Sequence, residues 1–133
     1  MALTKEAVKM LRKVKRHILA EPKRLYMSDW ILRDRGNGKI YLMSGKERKF
    51  AKCGTAACIA GWTVILADRE GEGRVGDTAK EILGLNDSQH DRLFAPSCWP
   101  EKFHQGTTGD GKKRTAEIAA KRIEHFIKTD GEE

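Results

Sequence analysis

Cys53-Gly-Thr-Ala-Ala-Cys58-Ile-Ala-Gly-Trp62-Thr-Val-Ile-Leu-Ala67 is a run of fifteen residues without a charge, in a chain whose charged residues make up 34%. It is too short for the roughly 20 apolar residues of a membrane span and suits a buried central helix. The segment predicts a helix over 55–67, with Thr55 as N-cap behind Gly54. Gly61 inside that helix costs about 1 kcal/mol against Ala, which points to close approach of another backbone element or a ligand. The fold class that follows is mainly α (α+β): one compact helical domain, 1–133, around this helix, with a single β-hairpin.

Toward the N-terminus, Leu3, Ala7, Met10, Leu11, Val14 and Ile18 recur at helical spacing. Lys5, Lys9, Arg12, Lys13 and Arg16 lie largely on the other side. The pattern predicts a basic amphipathic helix over 4–20, stopped near Pro22. Such a helix suits phosphates, an acidic protein groove or a membrane surface, and equally an ordinary solvated face. Two apolar-rich runs around Gly36-Asn-Gly predict a β-hairpin over 29–44. A lone hairpin has two edges that a helix or a second chain must cover, so a homodimer is expected as one solution.

Toward the C-terminus, Ala79 to Leu85 and Asn86 to Phe94 predict a helical hairpin over 77–95, with its turn at Gly84 and Asn86 or Asp87 as second cap. It resembles a helix-turn-helix, but Asp87 and Asp91 would face phosphates with only Arg92 in support. Pro96, Pro100 and Gln105 to Lys113 read as a long irregular loop. A last helix is expected over 114–129, opened by Thr115, with Gly131 and two Glu as a frayed tail.

The net charge of +7 is unevenly divided. Residues 1–52 hold 15 Lys and Arg against 5 Asp and Glu, and the remainder holds 11 against 14. The basic part therefore carries +10, which suggests an anionic partner: nucleotide, nucleic acid or acidic protein. Three Cys form no disulfide framework, and Met1 to Ala20 is too interrupted by charge for a signal peptide, so a reducing cytoplasmic setting is expected.

The anion-binding set comprises the hairpin and Lys-rich cations Arg33, Arg35, Lys39, Lys49 and Lys52, together with the Gly54-Thr55 turn and Lys112 with Lys113. Free N–H groups at a helix start hold phosphate or carboxylate, although every capped helix has such a start. Gly106-Thr-Thr-Gly-Asp-Gly-Lys-Lys nearly matches a phosphate loop, but Lys113 stands where a magnesium-binding hydroxyl belongs and no buried strand precedes it. A Lys-tipped loop closing over an anion is the better reading there. Cys53, just ahead of the expected helix, would gain thiolate character, and His90, His104 or His125 could serve as its base. Cys53, Cys58, Cys98 and His104 could together ligate zinc, but the spacings miss the tight Cys-x2-Cys knuckle. No cofactor and no metal are expected.

Cys-Gly-Thr-Ala-Ala-Cys-Ile-Ala-Gly-Trp at 53–62, Ala-Lys-Glu-Ile-Leu-Gly-Leu at 79–85, Arg-Leu-Phe at 92–94, Trp-Pro at 99–100 and Arg-Ile-Glu-His-Phe-Ile at 122–127 resemble a group of small bacteriophage and bacterial proteins without an established activity. Arg16 to Pro22 and Met27 to Trp30 extend the similarity, and the segment between Trp30 and Cys53 is longer than that pattern. The resemblance implies an accessory or counter-defence protein in a host cytoplasm that binds host molecules, including signalling nucleotides, and carries over no site residue. The sequence thus points to a non-catalytic binder of an anionic ligand, a nucleotide second messenger or nucleic acid. Alternatives are a thiol enzyme using Cys53 and an inhibitor docking its basic surface on an acidic host protein.

Overall fold

The computed structural model describes residues 3–25, 27, 31–34, 40–42, 55–67, 75–107 and 113–133, with the strands and 106–107 described by backbone alone. These residues are mainly helical: α1 (Lys5–Ala20), α2 (Ile59–Leu66), α3 (Val75–Leu83), α4 (Asp87–Phe94) and α5 (Lys113–Lys128). Short 3-10 turns occupy Pro22–Arg24, Pro96–Cys98 and Glu101–Thr107. No helix among the described residues is long and apolar enough to cross a membrane.

Three short strands, β1 (Ile31–Asp34), β2 (Ile40–Leu42) and β3 (Thr55–Ala57), form an antiparallel sheet in the order β2-β1-β3. Arg33 pairs with Tyr41 on one side and Thr55 on the other. The expected Gly36-Asn-Gly turn lies outside the described residues. β1 is central, so β3 of the same chain covers one of the edges for which a second copy was invoked.

β3 also corrects the central helix. Residues 55–57 are extended, and α2 begins only at Ile59. Thr55 is β-branched and finds backbone partners in β1, which a helix start could not offer it. The N-cap is instead Cys58, whose Sγ accepts the Gly61 N–H at 3.4 Å. From Ile59 to Val64 every residue of α2 is buried, as a helix without a polar face requires. Trp62 Nε1 donates to the Arg24 carbonyl at 2.7 Å and ties α2 to the turn after α1.

α1 presents Ala7, Leu11, Val14 and Ile18 to a core shared with α2 and α5, and Thr4 caps it by accepting the Ala7 N–H. α3 ends at Gly84, whose φ of +63° permits paired bonds from Gly84 N to Glu81 O and from Leu85 N to Lys80 O. α4 opens on a reciprocal cap between Asn86 and Gln89. Of the apolar residues that the sequence assigns to the core, Leu11, Val14, Ile18, Ile59, Trp62, Val64, Leu83, Leu93, Phe94, Ile123 and Phe126 are buried, while Leu66, Ile82 and Ile127 pack at its margin. Leu25, Met27, Trp99 and Phe103 join it.

The stretch after α4 departs most from expectation. It is not an irregular loop as far as Thr107: two 3-10 turns carry Trp99 and Phe103 into the core. α5 then starts at Lys113 rather than at Thr115. Arg122 of α5 is 0% exposed, and its Nη2 donates to the Arg92 carbonyl at 2.9 Å, in the last turn of α4. The guanidinium lies about 6 Å from the ring centres of Trp99, Phe103 and Phe126, measured at 6.0, 5.8 and 5.8 Å. Trp99 Nε1 donates to the Leu93 carbonyl at 2.9 Å, so two side chains cap the same helix end.

The C-terminal residues are not frayed at Gly131. Asp130 and Gly131 take positive φ, Gly131 N bonds to Phe126 O at 2.8 Å, and the Gly131 carbonyl accepts Arg92 Nη1 at 3.1 Å. A Cβ on Gly131 would meet Gln89 Nε2 at 2.5 Å. Asp130 also accepts the Leu3 N–H at 2.8 Å, which pins the start of α1 to the end of α5.

Arg122→Ala is expected to lower the unfolding free energy by about 2–4 kcal/mol, through lost packing against three rings and an orphaned carbonyl. Arg122→Met, which refills the space without a charge to desolvate, should lose clearly less. Urea denaturation measures both. Equal losses would mean that the charge, not the volume, holds this corner.

Candidate functional site

The cations of α1 repeat the spacing of its core residues. Buried Ala7, Leu11, Val14 and Ile18 sit at i, i+4, i+7 and i+11. Lys5, Lys9, Arg12 and Arg16 use the same spacing two residues earlier, about 200° around the axis, so they form a row on the opposite side. All four are exposed. With Thr4 and Val8 they line an open groove of about 410 Å³.

One carboxylate touches this row among the described residues. Glu124 of α5 accepts Lys15 Nζ at 2.6 Å and lies 3.4 Å from Arg12 Nε. The Lys15 bond, aided by Arg12, holds Glu124 below the ordinary carboxylate range. Lys5, Lys9 and Arg16 have no ion-pair partner among the described residues. The row is therefore charged and solvated, and among the described residues only Arg12 of its four cations is ion-paired.

Arg35, Lys39, Lys49, Lys52, Gly54 and Lys112 lie outside the described residues, as does Cys53. Arg33 and Thr55 are brought together as register partners on neighbouring strands. Thr55 does not begin a helix, so the expected anion-holding helix start at Gly54-Thr55 is corrected. The real start, after Cys58, is enclosed in the core, and Cys58 Sγ already takes the Gly61 N–H. Lys113 is not the tip of a loop but the exposed first residue of α5, 3.9 Å from Glu117.

The zinc set also comes apart. Cys58 is 2% exposed, whereas Cys98 is exposed on the Pro96–Cys98 turn. His104 Nε2 is 2.7 Å from the Trp99 carbonyl. No group of three or more His, Cys, Asp and Glu positioned for a metal occurs among the described residues.

The α1 row was legible as a basic amphipathic face, yet its residues were not placed in the site set. Their i, i+4, i+7, i+11 spacing was the signal that would have put them there.

A second polar feature closes the other end of α1. The His17 ring packs edge-on against Trp62, with centroids 4.3 Å apart, and Arg24 Nη1 lies 3.3 Å from His17 Nδ1. His17 Nε2 is buried with no hydrogen-bond partner. Burial, then the Arg24 charge, hold the imidazole below its ordinary value of 6.5, with Lys13 adding to this and Glu21 opposing it.

No protein-family model, no curated protein and no solved structure matches the chain.

Neutral His17 has a pH consequence. In the unfolded chain it takes a proton at a higher pH than in the fold, so the fold binds fewer protons below the ordinary value. Its stabilisation is present above pH 6.5 and is lost as pH falls through that value toward the lowered one. His125, also lowered, adds in the same direction, while Glu124 and Asp87 act only at lower pH. The melting temperature should therefore fall between about pH 7 and about pH 5.5, and His17→Gln should shrink that fall. A drop of unchanged size would assign it to other groups. Thiol labelling gives an independent check of burial: Cys98 should react promptly with a maleimide and Cys58 only on unfolding.

Proposed function

We propose that the protein is a non-catalytic binder of nucleic acid that grips the phosphate backbone with α1. The observation that supports this reading is the row of Lys5, Lys9, Arg12 and Arg16 along one exposed side of a single helix. Eleven residues at 1.5 Å each make the row about 16 Å long, which spans several successive phosphates. A nucleotide second messenger belongs to the same chemical class but is too small to engage every cation of the row at once. The helix is a rigid support, capped by Thr4 and tied to α5 through Asp130, so ordering the cations costs little on binding.

Arg33 on β1 and the Lys-rich residues up to Lys52 add charge to the same N-terminal part of the chain. The similarity to small phage and bacterial proteins gives the reading a setting, a host cytoplasm in which an accessory or counter-defence protein meets host nucleic acid. An acidic host protein is the competing partner for the same cations. The thiol-enzyme alternative rests on Cys53, which lies outside the described residues; of the other two cysteines, Cys58 is enclosed as a helix cap and Cys98 is exposed.

Fluorescence anisotropy with labelled oligonucleotides tests the proposal. Log affinity should fall with log salt at a slope of about −3, as expected when four phosphates are neutralised. The double variant Lys9→Glu, Arg16→Glu should weaken binding about tenfold or more and flatten the slope, with the melting temperature unchanged because both side chains are exposed. Lys113→Glu should have little effect. Salt-independent binding, or binding unaffected by the double variant, would sink the reading. A nuclease-resistant complex with a host protein that depends on Lys9 and Arg16 would replace it with the protein-docking alternative.

A further inference from the structure

Beside the basic row, α1 and α5 diverge over the Glu101–Thr107 turn and leave a groove of about 650 Å³. That volume lies within the range of about 300–1,000 Å³ usual for organic ligands. Its open apolar surface is chiefly Leu19, with the largely buried Phe103 and Ala120, 7% and 5% exposed, at its floor. Leu19 is 39% exposed, the large apolar side chain left open to solvent among the described residues. Its rim carries Lys15, Lys102, Lys121 and Lys128. Two carboxylates, Glu117 and Glu124, also reach it, but both already have cationic partners: Lys113 at 3.9 Å for Glu117, and Lys15 at 2.6 Å for Glu124.

From these features we infer that the groove receives an unpaired nucleobase, so that the nucleic acid held by α1 is single-stranded. This rests on the backbone-binding reading above. An apolar surface rimmed with cations is complementary to a flat, largely apolar ring joined to a phosphate, and it is a poor seat for a bare inorganic anion. In a duplex the bases are stacked inside and their flat faces are unavailable; only an unpaired base can present one to Leu19 and Phe103.

His125 fits the same occupant. Its ring lies 5.4 Å from that of Phe103, tilted by 49°, and Nε2 is 3.9 Å from Glu133. Burial, then Lys102 and Arg122, lower its pKa. A neutral imidazole has one donor and one acceptor, which suits the edge of a base and not a phosphate. The groove is linked to the row through Glu124, which lines the groove and reaches Arg12. Lys15 also lines the groove, and Lys15 and Arg12 share Glu124, so a strand leaving the groove next meets Arg12 of the row.

The test is anisotropy with a labelled single-stranded oligothymidylate, an abasic strand of the same length, and a duplex. The abasic strand keeps every phosphate and removes every base. The single strand should bind about tenfold more tightly than either of the others. Leu19→Ser should remove that advantage and leave abasic binding unchanged; its exposure makes it a mild substitution for the fold. Lys128→Glu, a second exposed site on the rim, should weaken the single strand more than the abasic one. Equal affinities for single and abasic strands would overturn the base groove while the backbone reading stands. Absence of binding by all three would overturn both. Competition by free thymidine monophosphate as strong as that of the oligomer would overturn the strand in favour of a free nucleotide.

Discussion

A guanidinium buried with no ion-pair partner among the described residues organises the C-terminal half of this protein. Arg122 gives one hydrogen bond, to the Arg92 carbonyl, and leaves Nε and Nη1 unpaired. Such a group is costly in an apolar interior, and burial pushes its pKa down to about 10, still well above neutrality. What offsets the cost is the arrangement around it. The negative end of α4 faces the charge, and the ring faces of Trp99, Phe103 and Phe126 surround it. Each partner comes from a different piece of chain, so the arginine fixes α4, the two 3-10 turns and α5 relative to one another. The groove inherits its shape from this, because Phe103 both covers Arg122 and lies at the groove's floor.

Helix periodicity made α1 and α5 legible in the sequence, since each is amphipathic over sixteen residues and every turn repeats the same signal. The helix end at Gly84 was equally plain and the next cap was narrowed to Asn86 or Asp87, because a left-handed helix end and a side-chain cap are local events; the structure selects Asn86. The start of α2 was not legible. Gly54-Thr55 offers an acceptable cap, and only pairing of Thr55 with Arg33, more than twenty positions away, makes 55–57 a strand. Non-local pairing outweighs local propensity in such a short segment.

The same distinction separates the stretch from Pro96 to Thr107 from its reading as a loop. Prolines and polar residues are punctuation when read locally. Trp99 and Phe103 became core because the end of α4 exposes carbonyls that an indole N–H can cap, and because Arg122 needs ring faces. No pattern within 96–107 carries that information; it lies in α4 and α5. In the candidate site, the charge asymmetry of the first 52 residues draws attention to the N-terminal part, but composition cannot rank its cations. Ranking needed the helix phase, which separates Lys5, Lys9, Arg12 and Arg16 from the rest.

Glu124 links the core-packed helix α5 to the outside of α1. Its neighbour Ile123 is fully buried, and Glu124 itself reaches back to Lys15 and Arg12 on the outside of α1. Partly exposed ion pairs of this kind contribute little to stability, typically about 0–1 kcal/mol. Their greater effect here is positional: one carboxylate draws two α1 cations toward α5 and leaves the remaining three of the row unopposed. Under the proposed backbone binding, a phosphate at Arg12 would compete with Glu124 for the same guanidinium, while Lys15 keeps the carboxylate.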